Sequence, residues 1–128
     1  MYNTGIRLAS ILGTLAVISG AFGAHMLKNE LTSVQLDSWK TAVLYMFLHT
    51  VTILALSLTF SNHNRASIAR LSIWLFAIGI VLFSGSIMIL VCQDLLGITA
   101  GWLGPVTPIG GVLFVAGWLN LARIYKST

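Results

Sequence analysis

Charged side chains are scarce in this sequence. Of its 128 residues, 7 are Lys or Arg and 3 are Asp or Glu, so 8% of the chain is charged while 57% is hydrophobic. A soluble domain carries about 25% charged residues, so this composition indicates a membrane protein. The basic residues stand singly between apolar segments and form no run, so the net charge of +4 predicts no nucleic-acid partner.

Cysteine and buried acidic residues are also lacking. The single Cys92 excludes an intrachain disulfide and a cysteine-rich metal site, and we interpret it as an inert packing residue. No Asp or Glu lies within any of the apolar segments. Proton-coupled carriers commonly use an intramembrane carboxylate as the proton site, so its absence argues against that class.

Four apolar segments are long enough to cross a membrane. Each has roughly 19–22 residues, which at about 1.5 Å per residue spans a hydrocarbon core of about 30 Å. They are residues 6–27, 41–60, 71–92 and 107–125. The first is longer than the apolar part of a signal peptide and is predicted to be a transmembrane helix. We therefore predict a single domain over residues 1–128, an all-α integral membrane four-helix bundle.

Capping patterns predict where two of the helices begin. Thr32 with Gln35 three residues later is a capping-box pattern, which places the start of the second helix near Ser33. Thr107 followed by Pro108 predicts an N-cap and a first helical residue for the fourth helix.

The basic residues also predict an orientation. With four spans, both termini and the middle loop share one side. That side holds Arg7, Arg65, Arg70, Arg123 and Lys126, and the other holds Lys28 and Lys40. By the positive-inside rule, the protein is predicted to lie in the plasma (inner) membrane with both termini cytoplasmic.

Small residues recur at spacings of three and four, as in helices that approach one another closely. The predicted packing positions are Gly13, Ala16, Gly20 and Ala24 in the first helix, Gly85 in the third and Gly117 in the fourth. Packing within one chain is the favoured interpretation, and a homo-oligomer contact is the alternative. Trp118 is also predicted to be a packing residue.

The titratable side chains predicted to lie within the membrane are His25, Tyr45 and His49. Tyr45 and His49 are four residues apart and share a helix face. If the first two helices pack antiparallel, all three could converge in the outer half of the membrane as a polar site. His49 is interpreted either as a structural hydrogen-bonding residue or as a functional one, because ionisable residues in membranes are often functional. The spacing fits no metal signature, so no metal or other cofactor is predicted.

The start of the fourth helix is a second candidate site. Thr107, Gly110 and Gly111 expose backbone at a helix N-terminus, where a lipid phosphate or small anion is favoured electrostatically. Tight helix packing is the alternative explanation for these glycines.

Four segments resemble a known family. They are "GAFGAH" (20–25), "YMFLHT" (45–50), "LFSGS" (82–86) and "VTPIGGVLFVAGW" (106–118). They are similar to signatures of the family called domain of unknown function 423, which comprises small bacterial inner-membrane proteins similar to eukaryotic transmembrane protein 256. The resemblance implies a four-helix integral membrane protein and no particular activity. Many members have a tyrosine after the "SGS" element, where this chain has Ile87 and Met88.

The functional prediction is a structural, interaction or lipid-binding membrane component with membrane lipids as partners, and not an enzyme. The alternative is an oligomeric small-molecule or ion transporter or channel, with His49 and Tyr45 lining the pathway. The sequence does not specify a small-molecule substrate.

Overall fold

The computed structural model describes residues 2–61 and 64–124. Its elements are α1 (Tyr2–His25), α2 (Ser33–Thr59), α3 (Ala66–Ile80), a π-helical turn (Val81–Gly85), α4 (Ser86–Leu96), a 3-10 turn (Gly101–Leu103) and α5 (Val106–Ala122). By length and composition, four helical segments could cross a membrane: 3–25, 33–59, 66–96 and 101–122. The predicted all-α class is confirmed. Lys126 and Tyr125, used above for orientation and the fourth span, lie outside the described residues.

The two helix starts predicted from capping patterns have different outcomes. The capping box of α2 is confirmed. The backbone N–H of Gln35 donates to Thr32 Oγ1 at 3.2 Å, and the backbone N–H of Thr32 donates to Gln35 Oε1 at 3.0 Å. The predicted N-cap at Thr107 is wrong, since α5 begins at Val106 and has no side-chain cap. The Thr107 hydroxyl instead lies 2.6 Å from the Ser86 hydroxyl, so it connects α5 to α4.

Helix α1 packs antiparallel on α2 through small residues. Cβ atoms built on its glycines would face, in order, Ser57 from Gly5, Thr50 from Gly13, Val43 from Gly20 and Trp39 from Gly23. The approach is close at both ends of α1, because a Cβ at Gly5 would overlap the Ser57 hydroxyl and one at Gly23 would lie 2.5 Å from the Trp39 ring. The Trp39 indole N–H also donates to the Ser19 carbonyl at 2.9 Å. These contacts fix the register of the first two helices.

Helix α5 packs closely on α3 and the π-helical turn, again through glycines. A Cβ at Gly117 would lie 2.4 Å from the Phe76 ring, and one at Gly79 would lie 2.7 Å from the Phe114 ring. At Gly110 the contact is backbone to backbone, because a Cβ there would lie 2.4 Å from the Phe83 nitrogen. The rings of Phe76 and Phe114 therefore fill the space left by Gly117 and Gly79, and Gly110 lets the backbone of the π-helical turn approach α5.

Asn120 connects α3 and α5 at the end of the bundle where α3 begins. Its side chain is 7% exposed, and its amide group donates to the Ile68 carbonyl and the Ser72 hydroxyl, each at 2.9 Å. Ser72 in turn donates to the Gly117 carbonyl at 2.9 Å. The chain of hydrogen bonds satisfies polar groups that the surrounding apolar residues could not.

We expect Asn120→Leu to destabilise the bundle by about 1–2 kcal/mol, because it removes both donors and leaves the Ser72 hydroxyl short of a partner. Thermal unfolding in detergent micelles would measure this. Ser10→Ala is the control, since Ser10 is exposed and bonds only within α1. Equal unfolding temperatures for the two variants would contradict the role assigned to Asn120.

Candidate functional site

Six ring side chains form an aromatic cluster where α2, α3, the π-helical turn and α5 meet. The cluster consists of Tyr45, His49, Phe76, Phe83, Phe114 and Trp118. Phe76 is fully buried, and Phe114 is 4% exposed. Tyr45 and Trp118 are 39% and 50% exposed, so they form the outer edge of the cluster.

His49 lies at the centre of this cluster with both ring nitrogens engaged. Its Nδ1 lies 2.7 Å from the Tyr45 backbone oxygen, and the Trp118 indole Nε1 lies 3.1 Å from its Nε2. An indole nitrogen only donates, so Nε2 is the acceptor and the proton is on Nδ1, which donates to the carbonyl. The imidazole also stacks on Phe114, with centroids 3.8 Å apart and an interplanar angle of 9°. His49 is therefore held as a neutral ring in one tautomer.

Helical spacing and glycines build the cluster. Tyr45 and His49 are one turn apart on α2, and Phe114 and Trp118 are one turn apart on α5, so each pair lies on one face. The glycines of α5 and α3 let the phenylalanines reach between the helices.

The π-helical turn places Phe83 against the cluster. Ser84, fully buried, donates to the Ala42 carbonyl of α2 at 2.7 Å, and Ser86 is paired with Thr107 of α5. Two serines separated by one residue thus bind two different helices. Phe83, just before them, contacts the Tyr45 ring at a centroid distance of 4.8 Å.

A groove of about 710 Å³ lies on the outer side of the cluster, between α2 and α5. It is lined by Tyr45, Leu48, His49, Thr52, Phe83, Pro108, Gly111, Val112, Phe114, Val115 and Trp118. Most of these side chains are apolar, and none carries a fixed charge. We call this the α2–α5 groove.

The structure separates the three predicted polar residues. Tyr45 and His49 lie together, with ring centroids 6.0 Å apart. His25 is exposed at the end of α1. In the register of α1 on α2 it lies level with about residue 37, which places it about 12 Å from Tyr45 along the helix axis. In the structure, therefore, His25 does not lie beside Tyr45 and His49.

The other predicted positions are also placed. Gly110 is buried against the Phe83 backbone, Thr107 pairs with Ser86, and Gly111 lines the α2–α5 groove. Of the predicted packing residues, Gly13 and Gly20 face α2, Ala16 is buried, and Gly117 contacts Phe76. Ala24 is exposed, and a Cβ at Gly85 would have no neighbour within 4 Å.

The partners of His49 are not among the residues that the sequence predicts for the site. The sequence predicts Trp118 as a packing residue only, whereas in the structure its indole N–H also donates to His49. A signal was available, because Phe114 and Trp118 are four residues apart in an apolar helix and an indole N–H within a bilayer needs an acceptor.

In the part of the chain that the structure describes, four helical segments are of membrane-spanning length and an uncharged groove lies on the side of the bundle, which defines an integral membrane protein. The family described as "Protein of unknown function (DUF423)" matches residues 19–111. The chain belongs to this family. The matched region contains α2, α3 and the π-helical turn, which are three of the four elements around the aromatic cluster, and the start of the fourth, α5.

Bacterial relatives are similar over nearly the whole chain. A UPF0382 membrane protein of Staphylococcus saprophyticus is 40% identical over 116 residues, covering 91% of this chain and 91% of that protein. One from Haemophilus influenzae is 38% identical over 122 residues, covering 95% and 93%. The UPF0382 inner membrane protein YgdD of Escherichia coli is 38% identical over 116 residues, covering 86% and 79%. No solved structure matches the chain.

Proposed function

We propose that this protein is a lipid-binding component of the bacterial plasma membrane that holds an acyl chain in the α2–α5 groove. The observation that carries the proposal is the groove itself. Its volume of about 710 Å³ is within the range of about 300–1,000 Å³ that is usual for ligand pockets.

The surroundings of the groove favour an apolar ligand. Leu48, Val112 and Val115 along its walls are 51%, 65% and 59% exposed, so the groove opens on the outer surface of the bundle. In a bilayer this surface faces lipid. An acyl chain is the ligand that such a surface meets at the highest concentration.

The alternative function is an oligomeric transporter or channel with His49 and Tyr45 lining the pathway, and the interior of the single protomer gives it no support. Phe76, Ile53 and Ile80 are at most 1% exposed and fill the space between the helices. His49 uses one nitrogen on the Tyr45 carbonyl and the other on Trp118. For the same reason we propose a structural rather than catalytic role for this histidine, and a protein that is not an enzyme.

The location and orientation remain part of the proposal. The E. coli relative is named as an inner membrane protein. Arg7, Arg70 and Arg123 are exposed at one end of the bundle, which the positive-inside rule places in the cytoplasm with both termini. Homo-oligomerisation stays a prediction, and native mass spectrometry would measure the oligomeric state together with bound lipid.

Filling the groove tests the lipid-binding proposal. A Cβ on Gly111 would lie 3.9 Å from the Phe83 ring, so Gly111→Leu should fold and extend into the α2–α5 groove. We expect it to lower phospholipid retention in native mass spectrometry about tenfold, the effect of losing about 1.4 kcal/mol of binding free energy.

Gly85→Leu is the matched control for this experiment. Gly85 has right-handed helical dihedral angles, has open space around it and does not line the groove. It should retain lipid as the wild type does. Lipid retention that is the same in both variants and in the wild type would refute binding in the groove.

A further inference from the structure

We propose that the ligand of the α2–α5 groove is an ester-linked phospholipid, whose ester carbonyl accepts a hydrogen bond from the Tyr45 hydroxyl. This inference rests on the proposed function and adds the chemical class of the ligand. The inference is based on which polar side chains of the groove already have hydrogen-bond partners and which does not.

Four side chains lining the groove have polar atoms: Tyr45, His49, Thr52 and Trp118. His49 and Trp118 bond to each other, and the Thr52 hydroxyl donates to the Leu48 carbonyl at 2.9 Å. The Tyr45 hydroxyl has no hydrogen-bond partner among residues 2–61 and 64–124. Among the polar side chains lining the groove, it is the one that the described residues leave without a hydrogen bond.

The Tyr45 ring is held in place without using its hydroxyl. Its centroid lies 4.8 Å from that of Phe83 and 6.0 Å from that of Phe114. The His49 ring, whose centroid lies 6.0 Å from that of Tyr45, cannot accept from Tyr45 because its acceptor nitrogen is already bonded to Trp118. A donor at the edge of the hydrocarbon core is costly when unpaired, so the partner has to come from outside the chain.

The depth of Tyr45 suits an ester carbonyl. Tyr45 is about 6 Å along the helix from Thr41, where the apolar part of α2 begins. Helical side chains lean toward the N-terminus, so we expect the Tyr45 hydroxyl to lie on the side of Thr41 rather than deeper in the bilayer. This is the boundary between the hydrocarbon core and the headgroup region, where the ester groups of phospholipids lie.

Because the groove has no charged side chain, it favours the ester carbonyl of the lipid over the phosphate. No Lys or Arg is among the lining residues. A neutral donor is matched by a neutral acceptor, and a phosphate would find no compensating charge in the groove. The two acyl ester groups are therefore the part of the lipid that Tyr45 recognises.

Paired lipid probes test the proposal. Purified protein is equilibrated with equal amounts of a diester phosphatidylglycerol and its dialkyl ether analogue, which has the same headgroup and chain length but no carbonyl. Native mass spectrometry then reports the ratio of the two retained lipids. We expect the wild type to prefer the ester lipid about three- to tenfold, the effect of one net hydrogen bond.

Tyr45→Phe should abolish this preference while retaining the ether lipid as the wild type does. Thr41→Val is the matched control, because the Thr41 hydroxyl donates to the Asp37 carbonyl within α2 and does not line the groove, and it should keep the preference. Equal retention of both lipids by the wild type, or an ester preference that survives Tyr45→Phe, would overturn the inference. Either result leaves the proposed function standing if Gly111→Leu still lowers retention of both lipids.

Discussion

Gly110→Ala is expected to prevent the bundle from folding stably, whereas Gly111→Ala next to it leaves the fold intact. The Cβ added at Gly110 would lie 2.4 Å from the Phe83 nitrogen and 2.8 Å from its Cα. These are backbone atoms of the π-helical turn, so relief requires moving α5 away from it. Overpacking of a core commonly costs about 1–3 kcal/mol, and we expect a cost of at least about 3 kcal/mol here because no side chain can rotate aside.

The neighbouring glycine makes this a controlled comparison. At Gly111 the added Cβ would be 3.9 Å from the Phe83 ring, an ordinary contact, and alanine favours a helix over glycine by about 1 kcal/mol. Thermal unfolding and size-exclusion profiles in detergent would separate the two variants. If Gly110→Ala proved as stable as Gly111→Ala, the close approach of α5 to the π-helical turn would be wrong.

His49→Ala is expected to destabilise the protein by about 2–4 kcal/mol. The substitution leaves a cavity beside Phe114 and removes the acceptor of the Trp118 indole N–H. His49→Gln should recover part of the loss, because a glutamine has both a donor and an acceptor. His49→Phe separates the two contributions, since it fills the cavity but accepts no hydrogen bond. Unfolding temperatures and the emission of the tryptophans would measure both effects.

The same variants distinguish the structural role of His49 from a role in transport. A residue that carries protons would give a His49→Ala variant that is as stable as the wild type but inactive in a proton-linked flux assay in proteoliposomes. That result would contradict the hydrogen-bonding role. A less stable variant, with no flux detectable in the wild type, would support it.

The sequence predicts the fold well because the membrane imposes simple requirements on it. A run of about 20 apolar residues has to form a helix, since no water is present to satisfy the backbone. The capping box at Thr32 could be predicted too, because it involves residues three positions apart. These features depend on local sequence alone.

The site depends on contacts that local patterns do not contain. His49 and Trp118 are 69 residues apart, and Ser84 and Ala42 are 42 apart. Which faces of two apolar helices meet is decided by glycines and rings that fit together only in three dimensions. In the same way, the local pattern predicts Thr107 as the N-cap of α5, but Thr107 lies within the helix and its hydroxyl is paired with that of Ser86, 21 residues away.

The π-helical turn was also unpredictable from local sequence. "VLFSG" has no Pro and one Gly, and its composition favours a regular helix. The wider turn accompanies the contacts of Ser84 with α2 and of Phe83 with Gly110, both of which lie far away in sequence.

The bond between His49 and Trp118 also has a consequence for biosynthesis. Chains are made from the N-terminus, and α1 can pair with α2 through its glycines while α5 is still untranslated. During that interval the imidazole acceptor has neither the Trp118 indole nor the Phe114 ring beside it. Insertion of α5 supplies both, so His49 has its full set of contacts only after this last helix has entered the bilayer.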